Sequence, residues 1–150
     1  RLRKLDEGQY DALVLACAGL RRLRLDERIS TALTTEQMLP AVGQGALAIE
    51  TRSNDTNAVE SASRLDHKFT RVACTAERAL LRQLGGGCQL PIAAHAVVRD
   101  KRIRLDGLVA STDGKQIVRE RVSGGLDEAE ELGNLLAEQL LTNGARELLS

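Results

Sequence analysis

Two turn signals, Asp100-Lys101 and Asp113-Gly114, cut one stretch of the chain into three short segments whose apolar residues alternate. Ile92, Ala94, Ala96 and Val98 mark the first, Ile103, Leu105 and Val109 the second, and Ile117 to Val122 the third. A period of two puts the apolar side chains of each segment on one face, and Asp-Gly between such runs is a strong hairpin signal. An antiparallel meander is expected, and its apolar face needs a cover. Helical periodicity supplies one on both sides. Phe69, Val72, Ala73, Ala76, Leu80 and Leu84 recur at helical spacing from about His67 to Leu84, where Gly85-Gly86-Gly87 stops the helix. Leu132, Leu135, Leu136 and Leu140 repeat the pattern between about Asp127 and Leu141, ahead of Asn143-Gly144. Helix, three strands and helix make an α+β unit over roughly 67–150.

The preceding part has another character. Arg1 to Gly8 reads as the end of a helix closed by Gly8. Ala12-Leu13-Val14-Leu15-Ala16-Cys17-Ala18 is a continuous apolar run, as expected of a strand buried on both faces of a parallel sheet. A basic helical turn, Leu20-Arg21-Arg22-Leu23, follows it. Gly43-Gln44-Gly45 enters a second short apolar run, Ala46 to Ile49, also expected to be a strand, and Asn54 or Asp55 caps a helix reaching about Leu65. Two strands do not complete a parallel sheet, so the expectation is a piece of a larger protein.

Composition narrows the function. Lys+Arg and Asp+Glu both number 21, giving a net charge of +0, with one Tyr, one Phe and no Trp. Nucleic-acid binding usually needs a basic face with stacking rings, so that class is set aside. No apolar run approaches membrane-spanning length. Cys17, Cys74 and Cys88 form an odd set without a CxxC pair, and with His67 and His95 they show no metal-ligand spacing. A reducing cytoplasm is expected, and neither a disulfide framework nor a metal.

Cys88 stands on a loop between three glycines and Gln89-Leu90-Pro91. Glycines allow sharp turns and close approach of a bulky group, and a thiol is a soft nucleophile toward carbon once its pKa falls. An isolated cysteine is nevertheless more often a small apolar filler. Cys17 and Cys74 read as structural, as do His67 and His95. Arg1, Arg3, Arg21 and Arg22 are a second group; Arg21 and Arg22 follow an expected parallel strand, where open α/β sheets place ligands. Guanidinium groups there suit carboxylate or phosphate, against the plainer reading of a solvated basic face.

These residues together resemble a known family. Ala41-Val42-Gly43-Gln44-Gly45-Ala46, Ala76-Glu77-Arg78-Ala79 and Gly86-Gly87-Cys88-Gln89-Leu90-Pro91-Ile92 are similar to motifs of the porphobilinogen deaminases, also called hydroxymethylbilane synthases. Arg1 to Gly8 and Ala18 to Leu23 fit the same pattern, and the order holds along nearly the whole chain. Gly85 departs from it, since many members carry an acidic residue before Gly-Gly-Cys.

The resemblance implies a transferase of tetrapyrrole and haem biosynthesis. Such an enzyme condenses four porphobilinogen molecules, releasing ammonia, to give hydroxymethylbilane. It implies a dipyrromethane cofactor joined by a thioether to Cys88, which is then an anchor and not the turnover nucleophile. Arg1 and Arg22 match positions that bind the acetate and propionate groups of the pyrroles, while Ala16 and Gln44 match cleft-lining positions. The catalytic aspartate belongs to the N-terminal half, so no residue of this chain is assigned that role.

The implied fold is two periplasmic-binding-protein-like α/β domains and a C-terminal α+β domain. Residues 1–66 would be an incomplete α/β portion: the end of the second domain to about 39 and a return to the first over about 46–63. Residues 67–150 would form the cofactor-anchoring domain. The implied partners are porphobilinogen, the growing polypyrrole and the missing N-terminal half. The full-length enzyme is expected to be monomeric, and the fragment inactive alone and prone to self-association. Competing readings are a non-catalytic α+β module that binds a small organic acid, and a thiol-redox protein using Cys88.

Overall fold

A computed structural model describes residues 1–87 and 90–149. The chain divides into two compact units, Arg1–Thr34 and Thr35–Ser150.

The first unit contains two short helices, α1 (Leu2–Asp6) and α2 (Cys17–Arg22), and a 3-10 turn, Asp26–Arg28. Gly8 follows α1 at φ +71°, the left-handed conformation that closes the helix as expected. The Arg28 guanidinium pairs with the Asp6 carboxylate. The expected buried strand at Ala12–Ala18 does not form. Residues 12–16 join no strand or helix, Leu13 and Leu15 are half-buried, Val14 is exposed, and Cys17 opens α2. The physical reason is the ladder. A strand needs a neighbour for its N–H and C=O groups, and none is formed in this unit. Arg21 and Arg22 accordingly end a helix that no strand precedes.

In the second unit, the strand expected at Ala46–Ile49 likewise does not form, and Leu47 is 89% exposed. Helix α3 (Thr56–Ser63) starts as its sequence requires: the Asp55 carboxylate accepts the Ala58 N–H at 3.0 Å. Helix α4 (Lys68–Gln83) begins at His67, whose ring nitrogen accepts the Thr70 N–H. The three expected strands are β1 (Ile92–Arg99), β2 (Arg102–Ala110) and β3 (Ile117–Gly125), ordered β1-β2-β3 and antiparallel throughout. Helix α5 (Ala129–Leu140) follows a 3-10 turn, and Gly144 at φ +107° lies in the wide turn beyond it.

Helices α4 and α5 cover one face of the sheet. Leu80, Leu136 and Leu140 meet Ile103, Leu105 and Val109 in a core with no aromatic ring. The helices approach so closely that a Cβ on Gly133 would lie 2.4 Å from the Ala76 carbonyl oxygen. Phe69 and Leu135, on the expected apolar helix faces, are instead 47% and 44% exposed.

β1 is an edge strand, and two of its outward N–H groups are occupied. The Ala94 N–H donates to the Pro40 carbonyl at 3.1 Å and the Ala96 N–H to the Glu77 carboxylate at 2.8 Å. This blunts an edge that would otherwise seek another strand. Arg119 of β3 donates to the carbonyls of Glu36 and Thr35, at 2.7 and 3.2 Å, fixing the segment that leads to buried Leu39.

Candidate functional site

A carboxylate at a core position organises the candidate site. Glu77 follows buried Ala76 on α4 and is itself 5% exposed. A buried carboxylate needs partners, and Glu77 has two backbone donors. Its Oε1 accepts the Ala96 N–H of β1, and its Oε2 accepts the Gly43 N–H at 2.7 Å. His95 Nδ1 lies 3.9 Å from Oε1. One side chain thus joins helix, sheet edge and the Gly43-Gln44-Gly45 turn.

That turn has a demanding backbone. Gly43 and Gly45 adopt φ +72° and +87°, where side chains are disfavoured, and the turn closes through Gln44 N to Ala41 O and Ala46 N to Gly43 O. Between the two glycines, Gln44 is exposed. It stands at the rim of a cleft of about 440 Å³ also lined by His67, Thr70, Cys74, Glu77 and His95. His67 Nδ1 is 2.8 Å from Thr70 Oγ1, so this ring caps α4 and fits a structural role. Burial, then the Glu77 carboxylate, push the Cys74 thiol up from its ordinary value, while Arg78 pulls the other way. A thiol held protonated is a poor nucleophile.

The remaining candidates lie in the first unit or outside the described residues. Ala16 is the exposed residue before α2, Arg22 its exposed last residue, and Arg1 precedes α1. Neither Arg1 nor Arg22 is in an ion pair among the described residues. Arg21 Nε lies 3.8 Å from Asp26, with both side chains mostly exposed. Cys88 lies outside the described residues. Its glycine flank is described: a Cβ on Gly86 would fall 2.6 Å from Leu81 Cδ1 and 2.7 Å from Ile92 Cδ1. Only glycine fits there without displacing both side chains.

Glu77 belongs to the Ala76-Glu77-Arg78-Ala79 motif, which by itself assigns it no role. The signal was present, because an acidic residue in the stripe of Ala73, Ala76 and Leu80 breaks the apolar pattern of its helix. Asp106 gives no such signal, because the alternation of β2 puts a polar residue at its position. It is 4% exposed and receives Arg121 Nε and Nη2 at 2.8 and 2.7 Å, with Arg104 at 3.4 Å and Arg119 at 3.6 Å.

Comparison with known proteins agrees with these motifs. Residues 71–142 match a family described as porphobilinogen deaminase, C-terminal domain. Residues 1–60 match one described as porphobilinogen deaminase, dipyromethane cofactor binding domain. The porphobilinogen deaminase of Pelobacter propionicus is 49% identical over 149 residues, covering 99% of this chain and 48% of the relative. That of Desulforudis audaxviator is 53% identical over 150 residues, covering 100% and 48%. The chain therefore spans about half the length of the curated relatives it matches. Two domain families of one enzyme, matched in separate parts of the sequence, and relatives similar along its whole length lead to one conclusion: the chain belongs to the porphobilinogen deaminase family.

Proposed function

We propose that this chain is the cofactor-anchoring half of a hydroxymethylbilane synthase, which joins four porphobilinogen molecules and releases ammonia at each addition. The observation that carries the reading is the match of residues 1–60 to the cofactor-binding domain family, on a chain that also holds Gly86-Gly87-Cys88. The activity requires the other half of the protein, which supplies the catalytic aspartate. In the intact enzyme residues 1–66 complete two periplasmic-binding-protein-like domains, and 67–150 form the third. The working enzyme is a cytoplasmic monomer.

The residues present fit a dipyrromethane. Each pyrrole bears acetate and propionate groups, and Arg1 and Arg22 are exposed guanidiniums without a carboxylate partner among the described residues. Such groups can take a carboxylate through paired N–H donors. Gln44 offers an amide donor and acceptor from a turn held in place by Glu77. Ala16 adds a small side chain that leaves room for a ring. The dipyrromethane, held by a thioether to Cys88, supplies the free pyrrole end from which the product chain grows. Cys88 therefore anchors; Arg1 and Arg22 neutralise and orient the accumulating carboxylates.

Intact mass spectrometry of a full-length protein carrying this sequence tests the reading. The unaltered protein should carry a two-pyrrole adduct, which Cys88→Ala should lack. A normal adduct on Cys88→Ala would overturn the anchor assignment. Absence of any adduct from an active, unaltered enzyme would overturn the proposed cofactor.

A further inference from the structure

The sheet face turned away from α4 and α5 is rich in arginine. Strand alternation and register place Arg99, Arg102, Arg104, Arg119 and Arg121 on it. The buried carboxylate on that face, Asp106, is engaged by Arg121, Arg104 and Arg119. Arg99 and Arg102 lie beyond this arrangement, directly opposite each other at the β1–β2 hairpin. Asp100 and Lys101 form the turn between them at φ +48° and +59°. Like charges placed opposite each other across a ladder repel. Among the described residues, no carboxylate pairs with Arg99 or Arg102.

These two arginines, with Arg104 and Ser123, line a cleft of about 210 Å³ over Val97. The lining offers guanidinium and hydroxyl donors and no carboxylate. It shares only Val97 with the larger cleft at Gln44.

We propose that this cleft is a binding site for a compact oxyanion of the phosphate class, separate from the residues assigned to the pyrrole carboxylates. One carboxylate brings a single charge, too little for the two facing guanidiniums of Arg99 and Arg102, with which no carboxylate of the described residues pairs. A phosphate group brings about −1.5 to −2 charges near neutral pH and three strong acceptor oxygens. It would sit between Arg99 and Arg102, offset their mutual repulsion, and take further hydrogen bonds from Arg104 and the Ser123 hydroxyl. Guanidinium forks suit such bidentate recognition.

Titration calorimetry of inorganic phosphate and pyrophosphate into the 150-residue chain tests this, with acetate at matched ionic strength as the carboxylate arm. The expected result is saturable one-to-one binding that Arg99→Gln and Arg102→Gln each weaken about tenfold or more, a loss of roughly 1.4 kcal/mol. Arg82→Gln, which alters an exposed guanidinium on α4 paired with Glu130, should leave the affinity unchanged. Arg102→Glu supplies a second readout. It should abolish phosphate binding and raise the melting temperature in phosphate-free buffer, because an opposite-charge pair replaces a repulsive one. No saturable binding, equal weakening by Arg82→Gln, acetate binding as tightly as phosphate, or a lower melting temperature for Arg102→Glu would each overturn the proposal.

Discussion

Glu77 Oε2 accepts the Gly43 N–H at 2.7 Å across 34 positions of sequence, while Oε1 of the same carboxylate accepts the Ala96 N–H. Both oxygens are thereby committed to backbone donors, one on a turn and one on a sheet edge. This two-handed contact explains why an acidic side chain occupies a core position of α4, where Leu or Ala would otherwise suit the helix. It also ties the position of Gln44 to the packing of the α+β unit.

Glu77→Gln keeps the shape but replaces one acceptor oxygen with an NH₂ group, which faces a backbone N–H. That leaves a buried donor unpaired and should cost about 1–3 kcal/mol of stability. Chemical denaturation would measure the loss. Hydrogen exchange should show faster exchange at Gly43 and Ala96, with little change at Leu136 under conditions of local opening. An unchanged denaturation midpoint with unchanged exchange at both amides would mean that the carboxylate does not hold the turn.

Cys74 gives a separate reading of the same carboxylate. Burial raises its pKa first and Glu77 second, so its thiolate should be scarce near neutral pH. Alkylation at Cys74, followed by peptide mapping, should rise with pH along a curve displaced above the ordinary thiol value of 9.0. Removing the negative charge in Glu77→Gln should move that curve down. A curve at or below the ordinary value in the unaltered protein would contradict the stated environment.

The crossing of α4 and α5 depends on the absence of a side chain at Gly133. A methyl group there would press on the Ala76 carbonyl and the Ala79 Cβ, 2.4 and 2.5 Å away. Backbone cannot rotate aside as a long side chain can, so Gly133→Ala should destabilise by about 1–3 kcal/mol despite its better helix propensity. Thermal melting would decide. A variant as stable as the parent would show that the helices can separate without cost.

The α+β unit was legible in sequence because each of its elements has its partners within the chain. Ile103, Leu105 and Val109 alternate, and the sheet face they form is covered by helices whose leucines recur at helical spacing. The Ala12–Ala18 run carries as strong an apolar signal, yet it forms no strand. Apolar content expresses a tendency to be buried, whereas a strand also needs hydrogen-bonding neighbours, and periodicity says nothing about whether these are present. Glu77 was legible as an anomaly without partners: sequence shows an acid in an apolar stripe, but Gly43 and Ala96 become its neighbours only on folding. Asp106 stands at an ordinary polar position of the β2 alternation, and only folding gathers Arg104, Arg119 and Arg121 around it. The motifs around Gln44 and Cys88 were readable through family resemblance, because glycine positions and a single cysteine have too many ordinary explanations alone.

Asp113 sets a pH dependence with a definite sign. Its carboxylate accepts the Ser111 hydroxyl at 2.6 Å and the Lys115 N–H at 3.1 Å, and these hydrogen bonds hold its pKa below the ordinary 3.8. A depressed folded-state value stabilises the β2–β3 turn above the unfolded pKa and loses that contribution as pH falls through the folded one. Carboxyl resonances followed by NMR should place its midpoint below 3.8. Asp113→Asn should flatten the dependence of stability on pH in that acid range, while an ordinary midpoint would remove the basis for it.

Arg22 separates binding from folding. It is exposed at the end of α2, without an ion pair among the described residues, so Arg22→Leu should change the stability of this chain by no more than about 0.5 kcal/mol. In a full-length protein carrying the sequence, the same change should raise the substrate requirement or stall chain intermediates. Loss of one guanidinium opposite a desolvated carboxylate typically costs about 2–5 kcal/mol. Melting curves on the 150-residue chain and turnover assays on the full-length enzyme give the two halves of the test. Normal turnover with a lowered melting temperature would assign Arg22 to the fold. Slowed turnover with an unchanged melt is the signature of a side chain held in the open for a carboxylate that the folded chain does not itself provide.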